Sequence, residues 1–379
     1  MTAYNRTDLY NLTVQEEARK AFKRNCISKS SYEQLLQQHP VDLYTPNPFV
    51  RIGLAILTTL VILASIGLFF LMFQTGGSYG GILILVSVSC YAVLEVLTQQ
   101  RKHYNSGVDN TLMLGAALLL LGGIAAETHN ADRLLSLLSF IVFTLLTFRF
   151  ANSVMALCAA GSLVMLVFNV YTQLGEFTIS TFPYVLIMTA AAIYVVAKNL
   201  MTRRSQLIYI HCWQLLEVAS LVALYCFGNY FIVDAITDDT YLLTADSPLR
   251  MSWFFWAWTV GLPVAYLVRG LKTKNLLLCR LGLIGIAAAV LTYRYYYSIL
   301  PAEIALIIAG ALVLAVSLWL MKYLQQPKHG FVFGTDEPAD KAADVEAYLV
   351  GEGYAEQPVV EEARIGGGSF GGAGAGSSY

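Results

Sequence analysis

Three sets of residues in this sequence have types and spacings that could carry chemistry. The first is GGSYG, Gly76 to Gly80, which spells the GxSxG of a serine hydrolase, with His129 and Asp132 in another loop. The second is one carboxylate, Glu217, at the centre of the apolar run LIYIHCWQLLEVASLVALYCF from Leu207 to Phe227. The third is a pair of opposite charges, Glu95 and Arg280, each inside an apolar run. A serine nucleophile needs a strand before it and a helix after it, so that the glycines relieve a strained turn. Here an apolar run of helical length precedes Ser78, and the pattern recurs at Gly367 to Gly371, where glycine-rich composition alone generates it. Hydrolysis is not expected, and neither HExxH nor a P-loop is present.

The six cysteines, Cys26, Cys90, Cys158, Cys212, Cys226 and Cys279, form no CxxC pair, and five of them lie inside apolar runs. Small buried residues are expected rather than a metal site or a disulfide framework. The five histidines are equally scattered. No catalytic residue, metal site or cofactor is expected, so the chain does not read as an enzyme.

Glu217 has two readings. A carboxylate deep in a hydrocarbon layer costs on the order of 3 kcal/mol unless it is neutral, paired or in water. As a neutral acid bonded to a hydroxyl or carbonyl, it would be purely structural. As an ion or proton site, it would line a polar cavity facing Gly261 and Pro263, which interrupt the next helix at a similar depth and would free carbonyls there. Glu95 and Arg280 both fall near the same end of their runs and are expected to pair structurally.

These residues are positioned by apolar helices. The chain of 379 residues is 57% hydrophobic and 13% charged, a membrane composition, and its net charge of −1 offers no footprint for nucleic acid. A span needs about 20 apolar residues. Ten stretches qualify: Ile52 to Phe73, Gly81 to Leu97, Leu112 to Ala126, Leu134 to Phe148, Val154 to Tyr171, Thr181 to Ala197, Leu207 to Phe227, Ser252 to Val268, Leu276 to Thr292 and Leu300 to Met321. With both termini in the cytoplasm, twenty of the twenty-four Lys and Arg residues fall inside and three in outer loops, as the positive-inside rule requires. The aromatic runs WFFWAW, Trp253 to Trp258, and YRYYY, Tyr293 to Tyr297, fall at outer ends, where amphipathic rings favour the headgroup layer. The acidic stretch from Val233 to Arg250 reads as a solvated outer connector. Five spans and five in inverted topology would allow a carrier-type repeat, Glu95 matching Glu217, although no residue-level similarity supports it.

Residues 1–50 read as a cytoplasmic helical pair, with a capping box at Ser30 and Glu33, a stop at Pro40, and Tyr32, Leu35 and Leu36 facing Ala21 and Phe22 or the membrane surface. Residues 51–322 form the bundle. Residues 323–379, acidic and then glycine-rich, read as a disordered cytoplasmic tail with one helical turn at most. The arrangement RNCISKSSYEQLLQQHPVDLYTPNPFVRIGLAILTTLVILASIGLFF resembles uncharacterised bacterial membrane proteins classed as a domain of unknown function. That resemblance implies a bacterial inner-membrane protein and brings no active site. The ending GGGSFGGAGAGSSY is similar to the tails of some bacterial envelope proteins, including some bearing TPM domains, by composition.

The expectation is an all-α polytopic bundle of about ten spans embedded in a lipid bilayer. Its leading function is non-enzymatic passage of a small solute or ion. The alternative is an envelope scaffold or sensor that recruits a protein partner through its cytoplasmic termini.

Overall fold

A computed structural model describes residues 2–297 and Lys322, apart from 24–25, 74–77, 129–131, 176 and 242–250. The chain divides into two compact units, Met1–Lys322 and Tyr323–Tyr379, and the second lies outside the described residues, as does the tenth apolar run. The glycine-rich tail is therefore not described.

The architecture is an all-α polytopic bundle. The described residues form twelve α-helices and a 3-10 turn, with one isolated β-bridge between Tyr44 and His103. Helices α1 (Arg6–Lys23) and α2 (Lys29–Gln38) precede the long elements. These are α3 (Pro48–Met72), α4 (Tyr79–Arg101), α5 (Val108–Glu127), α6 (Asp132–Phe150), α7 (Ser153–Tyr171) and α8 (Phe177–Met201). A 3-10 turn (Arg204–Tyr209) leads into α9 (Ile210–Cys226), followed by α10 (Tyr230–Tyr241), α11 (Ser252–Thr273) and α12 (Leu276–Tyr296). By length and composition nine of these helices can cross a membrane, each at the place of one of the first nine expected spans.

Local chemistry sets the starts. Asn47 precedes Pro48, and its side chain accepts from the Val50 amide at 2.9 Å, so α3 opens with a cap and a proline where no amide bond is lost. Asn152 caps α7 and Asn275 caps α12 in the same way. Helix α2 is capped by Ser28 rather than Ser30, because the Ser28 hydroxyl accepts from the Ser31 amide and lies 2.9 Å from both the Ser30 and Ser31 hydroxyls. Its last residue, Gln38, stops short of Pro40 as expected.

The closest packing joins sequence neighbours: α4 with α5, α6 with α7, α8 with α9, and α11 with α12. At the α4–α5 crossing Gly80 and Gly123 meet so closely that a Cβ on Gly80 would lie 2.4 Å from the Gly123 carbonyl oxygen. One buried cluster, including Val86, Leu94, Met113 and Phe150, joins α3 to α7; Ala156, Ala197, Cys212 and Trp213 join α7, α8 and α9; Leu221, Tyr266 and Leu278 tie α9 to α11 and α12. Helix α9 is thus the strut between the halves. Helix α3, the most apolar span, exposes most of its surface, which in a membrane is the surface given to lipid.

One expectation, for the acidic stretch after α9, changes. The stretch beginning at Val233 is not a plain connector, since Tyr230–Tyr241 is helical and seated on the aromatic runs. Tyr230 stacks on Trp256 at 4.9 Å, Phe231 meets Tyr295 at 4.8 Å, and the Tyr296 hydroxyl donates to Asp234. Residues 1–50 belong to the same compact unit as the spans. Phe22 stacks on Tyr32 at 4.9 Å, which joins α1 to α2 as their apolar faces suggest.

Candidate functional site

The intramembrane charges come first. Glu95 lies in the penultimate turn of α4, and its partner is Arg149, near the end of α6, rather than Arg280. The guanidinium Nε and Nη2 each donate to one Glu95 oxygen at 3.0 Å, while the Tyr91 hydroxyl at 2.8 Å and the Gln99 amide at 3.0 Å complete the set. The planar fork of arginine matches a carboxylate in this way, and the carboxylate side chain is only 18% exposed. Arg149 sits one residue past the expected end of the fourth run, so it reads as a loop charge in sequence. Two more residues of helix bring it to the depth of Glu95.

Glu217 is also paired. Lys198, three residues before the end of α8, donates to its Oε1 at 2.7 Å, and the Glu217 side chain is 12% exposed. The turn from Arg204 to Tyr209 delays the start of α9, so Glu217 is its eighth residue, about 10 Å from the helix start. A lysine stem can span the remaining depth while its ammonium stays near the interface. Its partner is thus a basic side chain rather than a hydroxyl or a carbonyl.

Gly261 and Pro263 do not break α11, which runs unbroken from Ser252 to Thr273 with Pro263 inside it. The expectation of an interrupted helix fails because Pro263 is buried against α12: a Cβ on Gly285 would meet the proline ring at 2.9 Å. Gly261 faces open space. The cavity beside Pro263, about 520 Å³, is lined mainly by apolar residues of α9, α10, α11 and α12, and Glu217 is not among them. Its polar end is Asn229, bonded to the Tyr225 hydroxyl at 3.0 Å and to Thr292 at 3.2 Å. Ser78 acts as the cap of α4, accepting from the Gly81 amide and donating to Glu127, so its hydroxyl is in structural use. Among the described residues no group of three His, Cys, Asp or Glu side chains could hold a metal.

The polar convergence lies instead at the end of the bundle that carries the N-terminal helices. A cavity of about 340 Å³ is lined by Glu16, Tyr104, Asp109, Asn110, Asn152 and His211, among others, drawn from α1, the α4–α5 turn with the start of α5, the α6–α7 junction and α9. Each wall is fixed locally. The α4–α5 turn uses positive φ at Lys102, Asn105 and Gly107, and Gly107 is required because a Cβ there would lie 2.2 Å from the Arg51 carbonyl oxygen. Asp109, 2% exposed, reaches back from the first turn of α5 to accept from the Asn105 amide at 2.6 Å and the Ser106 amide at 2.8 Å. The α6–α7 junction is two residues long, with Ala151 at φ 50°, and Asn152 there donates to Asn110 at 2.7 Å.

The N-terminal segment closes this end. The Ala3 amide donates to the Arg149 carbonyl at 2.7 Å, and the Tyr4 hydroxyl donates to the His103 carbonyl at 3.0 Å. Tyr4, 6% exposed, sits edge-on to Tyr104 at 5.1 Å and to Phe150 at 6.3 Å. Burial pushes the phenols of Tyr4 and Tyr104 well up, and the Asp109 carboxylate adds to both shifts. Glu16 of α1 meets His211 of α9 at 2.9 Å, and this hydrogen bond holds the Glu16 carboxyl below its ordinary range. Asn11 and Gln15 bond the Pro40 and His39 carbonyls, and Lys102 bonds Asp42, so the strap after α2 is tied down too. None of these docking residues has a motif-like signal in sequence, because each partner is distant along the chain. No family model, curated protein or solved structure matches the chain.

Proposed function

We propose that this multi-pass membrane protein is a non-catalytic scaffold or sensor of the bacterial inner membrane, in which the N-terminal helical pair, on the cytoplasmic side, engages a protein partner. The observation that carries this reading is the docking of α1 onto the bundle through Tyr4 and the Glu16–His211 contact, at the one end where polar side chains from four segments meet. A helix held by residue-specific contacts presents a defined outer face. Passage of a solute or ion is less well supported, since Glu217 and Glu95 are both closed by basic partners and α11 is continuous at Pro263.

The two readings separate in one pair of measurements. A photo-crosslinking residue at Glu17 or Lys20, exposed on α1, is expected to trap a discrete protein in cells, whereas one at Leu60 on lipid-facing α3 traps none. Purified protein in liposomes is expected to pass protons and monovalent cations no faster than empty vesicles. Flux that Glu217→Gln abolishes would replace the scaffold reading with a carrier.

A further inference from the structure

Carboxylates are scarce in the second half of the bundle. From Phe177 to Cys226 and from Met251 to Tyr297 the sequence holds one, Glu217. Against it stand Lys198, Arg203 and Arg204 around the end of α8, and Arg269, Lys272 and Lys274 around the end of α11. The first half is balanced differently, with Glu95 answering Arg149 and Asp42 answering Lys102 one to one.

Two of these cations converge from neighbouring helices. Tyr194 of α8 packs against the cluster of Leu221, Tyr266 and Leu278, which brings the last turns of α8 and α11 to the same end of the bundle. Lys198 lies one turn beyond Tyr194 and Arg269 one turn beyond Tyr266, each on the same side of its helix as that tyrosine. Arg269 is close enough to Lys198 for the two charges to oppose each other. Glu217 answers Lys198 at 2.7 Å from α9, while Arg269, exposed, forms no ion pair among the described residues. One carboxylate therefore serves two cations, and the cluster keeps a net positive charge. Both cations are within reach of a ligand, since half of the Lys198 side chain is also exposed.

Depth decides what kind of anion fits. Helix α8 has 25 residues, so it is about 37 Å long, and Lys198 lies about 14 Å from its middle, at the edge of a hydrocarbon core about 30 Å thick. Val195 and Val268, beside the two cations, are 52% and 45% exposed, as side chains given to lipid are. A soluble anion would have to leave water to settle among valines. The phosphate of a lipid already sits at this level, and its acyl chains cover the valines. We infer that the cleft between the last turns of α8 and α11 holds the phosphodiester of an anionic glycerophospholipid, bridging Lys198 and Arg269. This stands apart from the docking of the N-terminal helices, and its failure would leave that reading untouched.

The test offers phosphatidylglycerol and phosphatidylcholine of the same acyl chains in equal amounts to the purified full chain. Bound lipids are counted by native mass spectrometry, and their ratio is read within each variant, so a change in the amount of folded protein does not alter it. Wild type is expected to favour phosphatidylglycerol about fivefold. Arg269→Gln is expected to bring the ratio toward one and Arg269→Lys to keep most of the preference. Arg280→Gln, which removes one positive charge from α12 at the same end, is expected to leave it unchanged. No preference in wild type would overturn the inference, and so would equal losses from Arg269→Gln and Arg280→Gln, which would trace the preference to general surface charge. Excess inorganic phosphate is expected to leave the bound phosphatidylglycerol in place; its displacement would assign the cleft to a soluble phosphate instead.

Discussion

On the Glu95 carboxylate four donors converge, two from Arg149 and one each from Tyr91 and Gln99, and the value of each depends on the others. Removing the carboxylate leaves a guanidinium without its counter-charge at the membrane edge. Glu95→Gln is expected to lower unfolding stability in detergent by about 2 kcal/mol, and the double change Glu95→Gln with Arg149→Gln by less than the sum of the single changes. Arg149→Lys is not expected to rescue the wild-type stability, because an ammonium lacks the fork that engages both oxygens. Additive losses in thermal or denaturant melts would separate the two residues energetically. At Glu16 the sign with pH follows from its depressed carboxyl. The Glu16 share of the contact is fully present above the ordinary glutamate value of 4.5 and is lost as pH falls through the lower folded value. The protection of α1 amides relative to an unstructured chain is therefore expected to fall on the acid side below about pH 4.5, and Glu16→Gln removes that acid-side loss.

Helix pairs are joined by surfaces that a single methyl group can block. Gly122 and Gly123 are adjacent in α5, yet a Cβ on Gly122 meets nothing within 4 Å, whereas one on Gly123 would lie 2.7 Å from the Gly80 carbonyl oxygen. Gly123→Ala is expected to cost about 2 kcal/mol through forced separation of α4 and α5. Gly122→Ala is expected to be neutral or to gain up to about 1 kcal/mol from helix propensity. Unfolding of the two variants side by side checks this. The difference could not be read from the dipeptide, since it depends on which glycine the helix turns toward its neighbour. The spans themselves were legible, because an apolar run near twenty residues has few other uses. Their partners were not. Glu95 and Arg280 looked matched in depth when run lengths were counted, but helices extend past their apolar runs, and two extra residues of α6 carry Arg149 into reach instead. Likewise a 3-10 turn that composition does not announce shifted Glu217 toward Lys198. Pro263 looked like a break, and only its burial against Gly285 shows why the helix continues.

For the molecule as a whole, charge asymmetry and helical hairpins make one prediction together. In a chain freed of its own cysteines, a cysteine at Gln173, exposed between α7 and α8, is expected to react with a membrane-impermeant maleimide in intact cells, and one at Lys272, exposed near the end of α11, only after lysis. The reverse pattern would invert the whole bundle and leave the hairpins intact. The way α1 is held also bears on time. Tyr4 rests on Tyr104 and Phe150, and Glu16 rests on His211, so the N-terminal helix is made long before any surface that receives it. At about 5–20 residues per second, the interval from Glu16 to His211 lasts on the order of 10–40 s. During synthesis the first helix is a waiting part until the seventh span begins, and its docking is complete only once more than half of the chain has been made.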